Sequence, residues 1–315
     1  MRHLLTLFDL TSEEFHDIQR IAMHLKSRWN AGYREPFLQG QTLALLFEKP
    51  SLRTRVSFEA GMTQLGGTPL YLTQDVGWQQ RETPGDFIRV LGEYCQYVVC
   101  RTFSHDTIVE LASFDCVPVI NGLTDRAHPC QAMSDIMTMR EAIGELKGKQ
   151  LTFVGDGNNV ARSVLHACGL AGMKFRLLGP TEYHIERDWL EQVADDCDEL
   201  DACQSTDAKS MLAEADFVYT DVWTSMGQEE EAKERQEDFA SFQVNASLMS
   251  QAPKSCKVLH CLPAHRGEEI TDEVIESKQS LVIPQAGNRM HLQKGLLAWL
   301  AIENQQMNRS RLELN

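Results

Sequence analysis

The chain has 315 residues, of which 43% are hydrophobic, 24% charged and 8% aromatic. This composition is typical of a globular protein long enough for two buried cores. Lysine and arginine number 30 against 45 aspartates and glutamates, a formal net charge of -15 that disfavours binding to nucleic acid or anionic lipid. The longest apolar runs fall far short of the roughly 18 residues of a membrane span, and the first residues offer no signal-peptide pattern.

The nine cysteines predict reduced thiols in the cytoplasm. They are odd in number and scattered through a chain too long to need disulfides for its stability. Cys95 and Cys100 are five residues apart, as are Cys256 and Cys261, but matching pairs at zinc-finger spacing are missing. We therefore expect a cytoplasmic protein that holds neither a structural metal nor a cofactor.

Apolar runs bounded by turn residues alternate with segments of helical period in the first half of the chain. This alternation is typical of an α/β architecture with parallel strands. It predicts strands over residues 42–47, 69–72, 97–100 and 117–121, and helices over residues 54–65, 84–94 and 105–113.

The second half repeats the alternation after a helix over residues 131–144. It predicts strands over residues 151–154, 174–178, 217–220, 258–261 and 281–283, and helices over residues 160–171 and 289–303. We expect two Rossmann-like α/β domains with parallel sheets, joined by interdomain helices. The first covers residues 1–134, with the C-terminal residues 289–315 packing back on it, and the second covers residues 150–285. The highly charged residues 228–238 predict a solvated helix face or a mobile loop.

A predicted anion site lies where the first strand leads into a helix. Ser51 occupies a capping position, and the free amide groups behind it form the positive end of the helix dipole. Arg53 and Thr54 add donors suited to a phosphate dianion. The alternative is an ordinary capped helix with surface arginines.

Six motifs, which follow one another along the chain, relate this predicted anion site to a known family. The run SLRTRVSFE at residues 51–59 resembles the phosphate-binding motif of the aspartate/ornithine carbamoyltransferase family, and Arg101 and the HPCQ run at 128–131 follow at that family's spacing. DVWTSMG at 221–227 and HCLP at 260–263 resemble the ornithine branch. With GDGNN at 155–159 and NRMH at 288–291, the resemblance runs from about residue 40 to residue 300.

The resemblance implies transfer of the carbamoyl group of carbamoyl phosphate to the δ-amine of ornithine, giving citrulline and phosphate. The implied carbamoyl phosphate contacts are Ser51, Leu52, Arg53, Thr54, Arg101, His128, Gln131, Cys261, Leu262 and Arg289. The implied ornithine contacts are Asn159, Asp221, Ser225 and the Met226 backbone. The implied catalytic residues are Arg101, His128, Asp221 and Cys261. The first domain would then bind carbamoyl phosphate and the second ornithine.

The residue types fit this chemistry. Attack on carbamoyl phosphate builds negative charge on a carbonyl oxygen, for which Thr54, Arg101 and His128 are suitable donors. The attacking amine is mostly protonated at neutral pH, and Asp221 and Cys261 could orient it and accept or relay its proton. Cys261 as a covalent nucleophile is a rival interpretation.

The roles of several residues and the choice of substrate stay open. His128 could be a buried structural histidine, Asn159 a turn residue and Ser225 a helix cap. Leu52 stands where the family usually has threonine, and with Trp78 it resembles relatives that carbamoylate N-acetyl- or N-succinylornithine, whereas DVWTSMG and GDGNN favour ornithine itself.

Two other classes of protein compete with this interpretation. Gly155 and Gly157 suggest a nicotinamide dehydrogenase, but Val160 replaces the third glycine of its fingerprint and residues 178–180 supply no acidic residue. A catalytically dead homologue would be expected to lack Arg53, His128 or Cys261, and all three are present.

The resemblance also implies an assembly. We expect a homotrimer or a multiple of trimers, in which the loop over residues 74–83 carries Trp78 into the site of a neighbouring subunit. The alternative is that Trp78 packs on its own domain. The motifs leave open whether the enzyme works in arginine synthesis or in arginine breakdown.

Overall fold

The computed structural model describes residues 1–73, 76–78, 81–224 and 229–305. The chain divides into two units: unit 1 comprises Met1–Met137 and the segment that begins at Gly287, and unit 2 comprises Thr138–Ala286. Each unit has its own parallel sheet, of four strands in unit 1 and five in unit 2. The predicted α/β class with two parallel sheets is confirmed. Among the described residues, no helix is both long enough and apolar enough to span a membrane.

Unit 1 is built on a parallel sheet whose central strands are buried. Its strands are β1 (Thr42–Phe47), β2 (Thr68–Leu72), β3 (Tyr97–Arg101) and β4 (Val119–Leu123). Its helices are α1 (Ser12–Asn30), α2 (Leu52–Gln64), α3 (Pro84–Tyr94), α4 (His105–Ser113) and α5 (Pro129–Ile143), the last of which continues into unit 2. All five residues of β3 are buried, as expected for an apolar strand covered on both faces.

Unit 2 alternates strands and helices in the same way. Its strands are β5 (Gln150–Val154), β6 (Lys174–Leu178), β7 (Ala202–Ser205), β8 (Phe217–Thr220) and β9 (Lys257–His260). Its helices are α6 (Asn159–Leu170), α7 (Arg187–Asp196), α8 (Ala208–Leu212), α9 (Ala232–Phe239), α10 (Ala246–Met249) and α11 (Asp272–Ile275). The final helix, α12 (Val282–Glu303), begins in unit 2 and ends in unit 1.

Strand order places one switch point in each sheet. The order is β2-β1-β3-β4 in unit 1 and β7-β6-β5-β8-β9 in unit 2, so the direction of sheet growth reverses between β1 and β3 and between β5 and β8. Ligands of open parallel sheets bind beyond the carboxyl ends of the strands at such points. The segments that follow β1, β3, β5 and β8 are therefore the expected ligand-binding positions.

One sequence prediction is corrected here. The strand predicted over residues 281–283 is wrong, because α12 begins at Val282 and this apolar run is its first turn. In its described part, the charged segment 228–238 forms a mostly exposed helix, as one of the two alternatives predicted, although Arg235 of α9 is buried. Strand β7 was not predicted, since it lies at the edge of the sheet and none of its four residues is fully buried.

Candidate functional site

The segment after β1 caps α2 and leaves a positive helix end. Ser51 is the N-cap residue, and its Oγ accepts a hydrogen bond from the backbone N–H of Thr54 at 3.2 Å. The first turn of α2 contains no acidic residue. Leu52 is 73% exposed and Arg53 is half-buried. Free amide groups and the helix dipole therefore favour an anion at this end of α2.

Two buried guanidinium groups converge on the hydroxyl of Thr54. Nη1 of Arg101 donates to Oγ1 of Thr54 at 3.4 Å, and Nη2 of Arg289 donates to the same oxygen at 3.2 Å. Arg101 ends β3, and the pairing of β3 with β4 shifts register between Cys100 and Arg101. The start of α2 thus carries two delocalised positive charges in a site largely shielded from water.

His128 adds a neutral donor to unit 1. It lies just before α5 and is 5% exposed. Burial holds the pKa of His128 well below its usual range, and four positive side chains lower it further. These are Arg289, Arg101, Arg53 and Lys49. The imidazole is therefore neutral at pH 7 and can donate one N–H to a carbonyl oxygen.

Gln131 is linked to the same cluster from the first turns of α5. Its Oε1 accepts a hydrogen bond from Nη1 of Arg289, and its Nε2 donates to Oδ1 of Asp135 at 2.8 Å. The amide oxygen has a second lone pair, so the contact with Arg289 leaves it able to accept from a ligand. Unit 1 therefore brings together Ser51, Thr54, Arg101, Gln131 and Arg289.

Lys49 is a residue of this region to which the sequence assigned no role. It is 9% exposed, and its ammonium lies 4.6 Å from the ring centroid of Phe103. Burial and the charge of Arg101 lower the pKa of Lys49. Its place between Glu48 and Pro50, directly before the SLRTRVSFE motif, was the signal available, but nothing in the sequence showed that this lysine is buried.

In unit 2, the ends of β8 and β9 bring Asp221 and Cys261 together. The thiol of Cys261 donates to Oδ1 of Asp221 at 2.8 Å, and Nδ2 of Asn158 donates to Oδ2 at 3.2 Å. Asn158 also caps α6, because its Oδ1 accepts from the backbone N–H groups of Val160 and Ala161. Asp221 is 8% exposed. One carboxylate is thus held between a thiol and a capping amide.

The backbone beyond Cys261 is held by a buried histidine. Leu262 has a positive φ of 58°, and its N–H donates to Nδ1 of His260 at 2.8 Å. Nε2 of His260 lies 3.0 Å from Oε1 of Glu269, and both side chains are fully buried. The cluster of Asp221, His260 and Cys261 has three metal-ligand types. Both ring nitrogens of His260 are already engaged, however, so the imidazole offers no lone pair to a metal.

The remaining predicted residues have these positions. Asn159 is the first residue of α6 and is half-buried. Ser225 and Met226 lie outside the described residues.

Trp78 is 2% exposed and packs in the core of unit 1, where its ring stacks on Phe87 at 6.4 Å between centroids. In this chain Trp78 therefore packs on its own domain, as in the alternative interpretation.

Arg235 is a buried side chain that the sequence interpretation missed. Nη1 donates to Oδ2 of Asp156 at 2.7 Å and to the backbone oxygen of Trp223 at 3.0 Å. It therefore joins α9 to the turn after β5 and to the segment after β8. Phe239, near the end of α9, stacks on the ring of Trp223. An arginine in a charged run resembles a surface residue, so the sequence carried no clear signal that Arg235 is buried.

Comparisons with known proteins place both halves of the chain in one family. The model described as aspartate/ornithine carbamoyltransferase, carbamoyl-P binding domain, matches residues 2–141, and the Asp/Orn binding domain of the same family matches residues 147–300. The chain belongs to the aspartate/ornithine carbamoyltransferase family. It is therefore an enzyme of carbamoyl transfer.

Individual relatives of this family cover almost the whole chain. A protein of Anoxybacillus flavithermus named ornithine carbamoyltransferase is 46% identical over 302 residues, 95% of this chain and 96% of the relative. One from Bacillus subtilis with the same name is 44% identical over 94% of this chain and 92% of its own. The solved ornithine carbamoyltransferase from Pyrococcus furiosus has a TM-score of 0.91 and 44% identity, covering 94% of this chain and 96% of its own.

Proposed function

We propose that this chain transfers the carbamoyl group of carbamoyl phosphate to the δ-amine of L-ornithine, giving L-citrulline and phosphate. The observation that carries the proposal is the convergence of Arg101 and Arg289 on Thr54 at the start of α2. Charge-assisted donors at a helix N-terminus suit the phosphate group of an acyl phosphate, and the names of the relatives supply the acceptor.

The phosphate group would bind at the start of α2. Ser51, Leu52, Arg53 and Thr54 offer backbone amides, a hydroxyl and a guanidinium. Leu52 contributes only its backbone N–H, because its side chain is apolar and 73% exposed. These donors favour the binding of a dianion, and they also stabilise phosphate as a leaving group.

The carbonyl oxygen of the carbamoyl group would receive donors from Thr54, Arg101 and His128. Negative charge grows on this oxygen as the amine attacks, so donors fixed in advance stabilise the transition state more than the ground state. Because burial keeps His128 neutral, it acts here as a hydrogen-bond donor and not as a proton donor. The carbamoyl amino group would be held by Gln131, Cys261, Leu262 and Arg289.

Ornithine would bind through residues of unit 2, with Asn159, Ser225 and the Met226 backbone at its α-amino acid end. Asp221 and Cys261 would hold the δ-nitrogen. The carboxylate of Asp221 already accepts a hydrogen bond from the Cys261 thiol at 2.8 Å, so the pair can orient the amine and take up or relay its proton. Arg101, His128, Asp221 and Cys261 are the catalytic residues of this proposal.

We extend the proposal to the domains and the assembly. Residues 1–134, with 289–315, would bind carbamoyl phosphate, and residues 150–285 would bind ornithine. The enzyme would act in the cytoplasm, in arginine biosynthesis, as a homotrimer or a multiple of trimers. Light scattering of the purified chain tests the last point, because a monomer would contradict it.

The deciding experiment compares amine acceptors side by side. Purified chain and carbamoyl phosphate are mixed with ornithine, N-acetylornithine or putrescine, without added metal or cofactor, and each product is measured. A site that hydrogen-bonds a free α-amino acid rejects an ill-fitting analogue by roughly 10⁴-fold, so ornithine should be preferred by a large factor. Preference for N-acetylornithine would contradict the proposal and give weight to Leu52.

A further inference from the structure

Three metal-ligating side chains of unit 2 lie together a few residues beyond Cys261. They are His265, Glu268 and Glu269, and one ligand atom of each lies within 4.8 Å of the other two. Nδ1 of His265 is 3.5 Å from Oε2 of Glu268. Two ligands of one divalent metal ion lie roughly 3.0–3.4 Å apart, because each bond to the metal is roughly 2.1 Å long. Small side-chain rotations therefore suffice for the three residues to hold one ion.

A tight turn holds two of these ligands in place. The backbone N–H of Glu268 donates to the carbonyl of His265 at 2.9 Å, and Gly267 has a φ of 92°. This is the left-handed conformation that a type II turn requires at its third residue. Nε2 of Gln243 donates to the carbonyl oxygens of Gly267 and Glu268 at 2.8 and 2.9 Å. Because these hydrogen bonds already fix the turn, binding of an ion orders little further backbone.

The third ligand is a buried carboxylate with an oxygen left unpaired. Glu269 is 0% exposed. Its Oε1 accepts from the backbone N–H of His265 at 2.6 Å and lies 3.0 Å from Nε2 of His260. Its Oε2 is buried and has no hydrogen-bond partner among the described residues. A buried carboxylate oxygen without a partner is costly, and a cation held with His265 and Glu268 would reduce that cost.

The charges around the three ligands favour a cation. Residues 265–276 contain five acidic residues and one arginine. This arginine, Arg266, contacts Asp272 at 2.6 Å and Glu276 at 2.5 Å, so it neutralises carboxylates outside the cluster. The side chains of His265 and Glu268 are 47% and 38% exposed, which gives an ion access from the solvent.

We propose that His265, Glu268 and Glu269 form a binding site for a divalent transition-metal ion, and that Mn²⁺ matches it best. Carboxylates suit Mg²⁺, Ca²⁺ and Mn²⁺, whereas an imidazole favours a transition metal, and Mn²⁺ meets both preferences. The two carboxylates balance the charge of the ion. Water fills its remaining coordination positions on the exposed side of the turn.

Hydrogen bonds connect this cation site to the segment that carries Cys261. Nδ1 of His260 accepts from the N–H of Leu262 at 2.8 Å, so Nε2 carries the ring proton and donates to Glu269. An ion bound to Glu269 withdraws negative charge from this acceptor and loosens its hold on His260. If Cys261 and Leu262 contact the carbamoyl group, as in the proposed function on which this step rests, the bound ion slows the transfer.

The test measures Mn²⁺ binding to the full chain by electron paramagnetic resonance, without substrates and after removal of other metals with a chelator. Thiolates select softer ions than Mn²⁺, so the probe avoids the cysteines. We expect the affinity to fall by at least roughly tenfold in His265→Ala and in Glu268→Gln. Both side chains are partly exposed, so neither change should unfold the chain. Glu273→Gln, which alters an exposed carboxylate of α11 outside the cluster, should bind Mn²⁺ as the unchanged chain does.

Three results would overturn the cation site. The first is an unchanged chain that binds no Mn²⁺, and the second is undiminished binding in His265→Ala. The third is an equal loss of affinity in Glu273→Gln, because it would mean that only the general negative charge of this surface attracts the ion. Since these measurements contain no substrate, their outcome is independent of which reaction the enzyme performs.

A second arm tests the connection to Leu262. Initial rates of carbamoyl transfer are measured with and without enough Mn²⁺ to fill the site. We expect Mn²⁺ to lower kcat by a few-fold in the unchanged chain and to leave kcat of His265→Ala as it is. No effect in the unchanged chain, or an equal effect in His265→Ala, would refute the connection while leaving the binding result to stand by itself.

Discussion

The thiol of Cys261 donates a hydrogen bond to Oδ1 of Asp221 across 2.8 Å, although 40 positions separate the two residues in the chain. The sheet explains the contact: β8 and β9 are parallel neighbours, and Thr220 pairs with His260. The residue after each strand therefore emerges at the same edge. Neither side chain can be displaced without changing the hydrogen bonding of the other, so the two should act as one proton-handling pair.

Removing the charge of this pair should cost more than changing its sulfur. Asp221→Asn keeps the shape but loses the base, and we expect kcat to fall by roughly 100-fold or more. Cys261→Ser keeps a donor to the carboxylate and should lose less. Steady-state rates with saturating substrates measure both, with Asp201→Asn, an exposed carboxylate of unit 2, as the control. A larger loss in Cys261→Ser than in Asp221→Asn would contradict the assignment of the base.

Replacement of Arg53 and replacement of Arg101, both in unit 1, should change different kinetic parameters. Arg53→Ala removes a ground-state contact with phosphate and should mainly raise the KM for carbamoyl phosphate. Arg101→Ala should lower kcat as well, because polarisation of the carbonyl grows in the transition state. Arg55→Ala is the matched control, since this exposed residue of α2 pairs with Glu59. A near-normal KM for carbamoyl phosphate in Arg53→Ala, or a near-normal kcat in Arg101→Ala, would refute the assignment of the phosphate site.

Acid should destabilise the fold through its buried histidines. Burial lowers the pKa of His128 well below 6.5 and that of His291 to about 4. In the unfolded chain these groups take up protons near pH 6.5, so their contribution to stability is complete above that pH and is lost as the pH falls toward 4. Urea unfolding at pH 7, 6 and 5 should show this loss.

The variant His291→Gln should lose less stability between pH 7 and pH 5 than the unchanged chain does. His265→Gln, which alters an exposed histidine, is the control and should follow the unchanged chain. Parallel pH curves for His291→Gln and the unchanged chain would show that His291 is not held neutral by the fold.

Two glycines should respond to alanine in opposite directions. A Cβ at Gly157 would lie 2.6 Å from the backbone nitrogen of Ile185 and 2.8 Å from the backbone oxygen of Tyr183. Gly157→Ala should therefore lower the free energy of unfolding by about 2 kcal/mol. Gly287 lies inside α12 with nothing within 4 Å of its Cβ position, so Gly287→Ala should raise it by up to about 1 kcal/mol. Thermal unfolding midpoints measure both, and shifts of the same sign would contradict this packing.

The sequence predicted those helices and strands whose pattern of apolar and polar residues matches their burial in the fold. The buried run that forms β1 was found with its bounds, and Ser51 was placed correctly as the cap of α2. Residues 281–283 were misread because a short apolar run reads equally as a strand or as a buried helix turn. The edge strand β7 was missed because its half-exposed residues carry no strong apolar pattern.

The sequence likewise predicted some residues of the candidate site and missed others. Motifs indicated Thr54, Arg101 and Cys261, because their residue types suit the chemistry. Burial of Lys49 and Arg235 could not be predicted, since a charged side chain becomes buried only through tertiary neighbours such as Phe103 and Asp156. The roles of the motif residues stay predictions that the variants above can check.

Unit 1 is discontinuous along the chain, with all of residues 138–286 between its two stretches. This arrangement sets an order of events during synthesis, because a ribosome releases residues from the N-terminus onward. Unit 2 is fully synthesised before the codon for Gly287 is read, whereas unit 1 still lacks the end of α12. Arg289, which donates to Thr54 at 3.2 Å, is among the last site residues to emerge. A nascent chain therefore has no complete phosphate site until Arg289 has been synthesised, after the whole of unit 2.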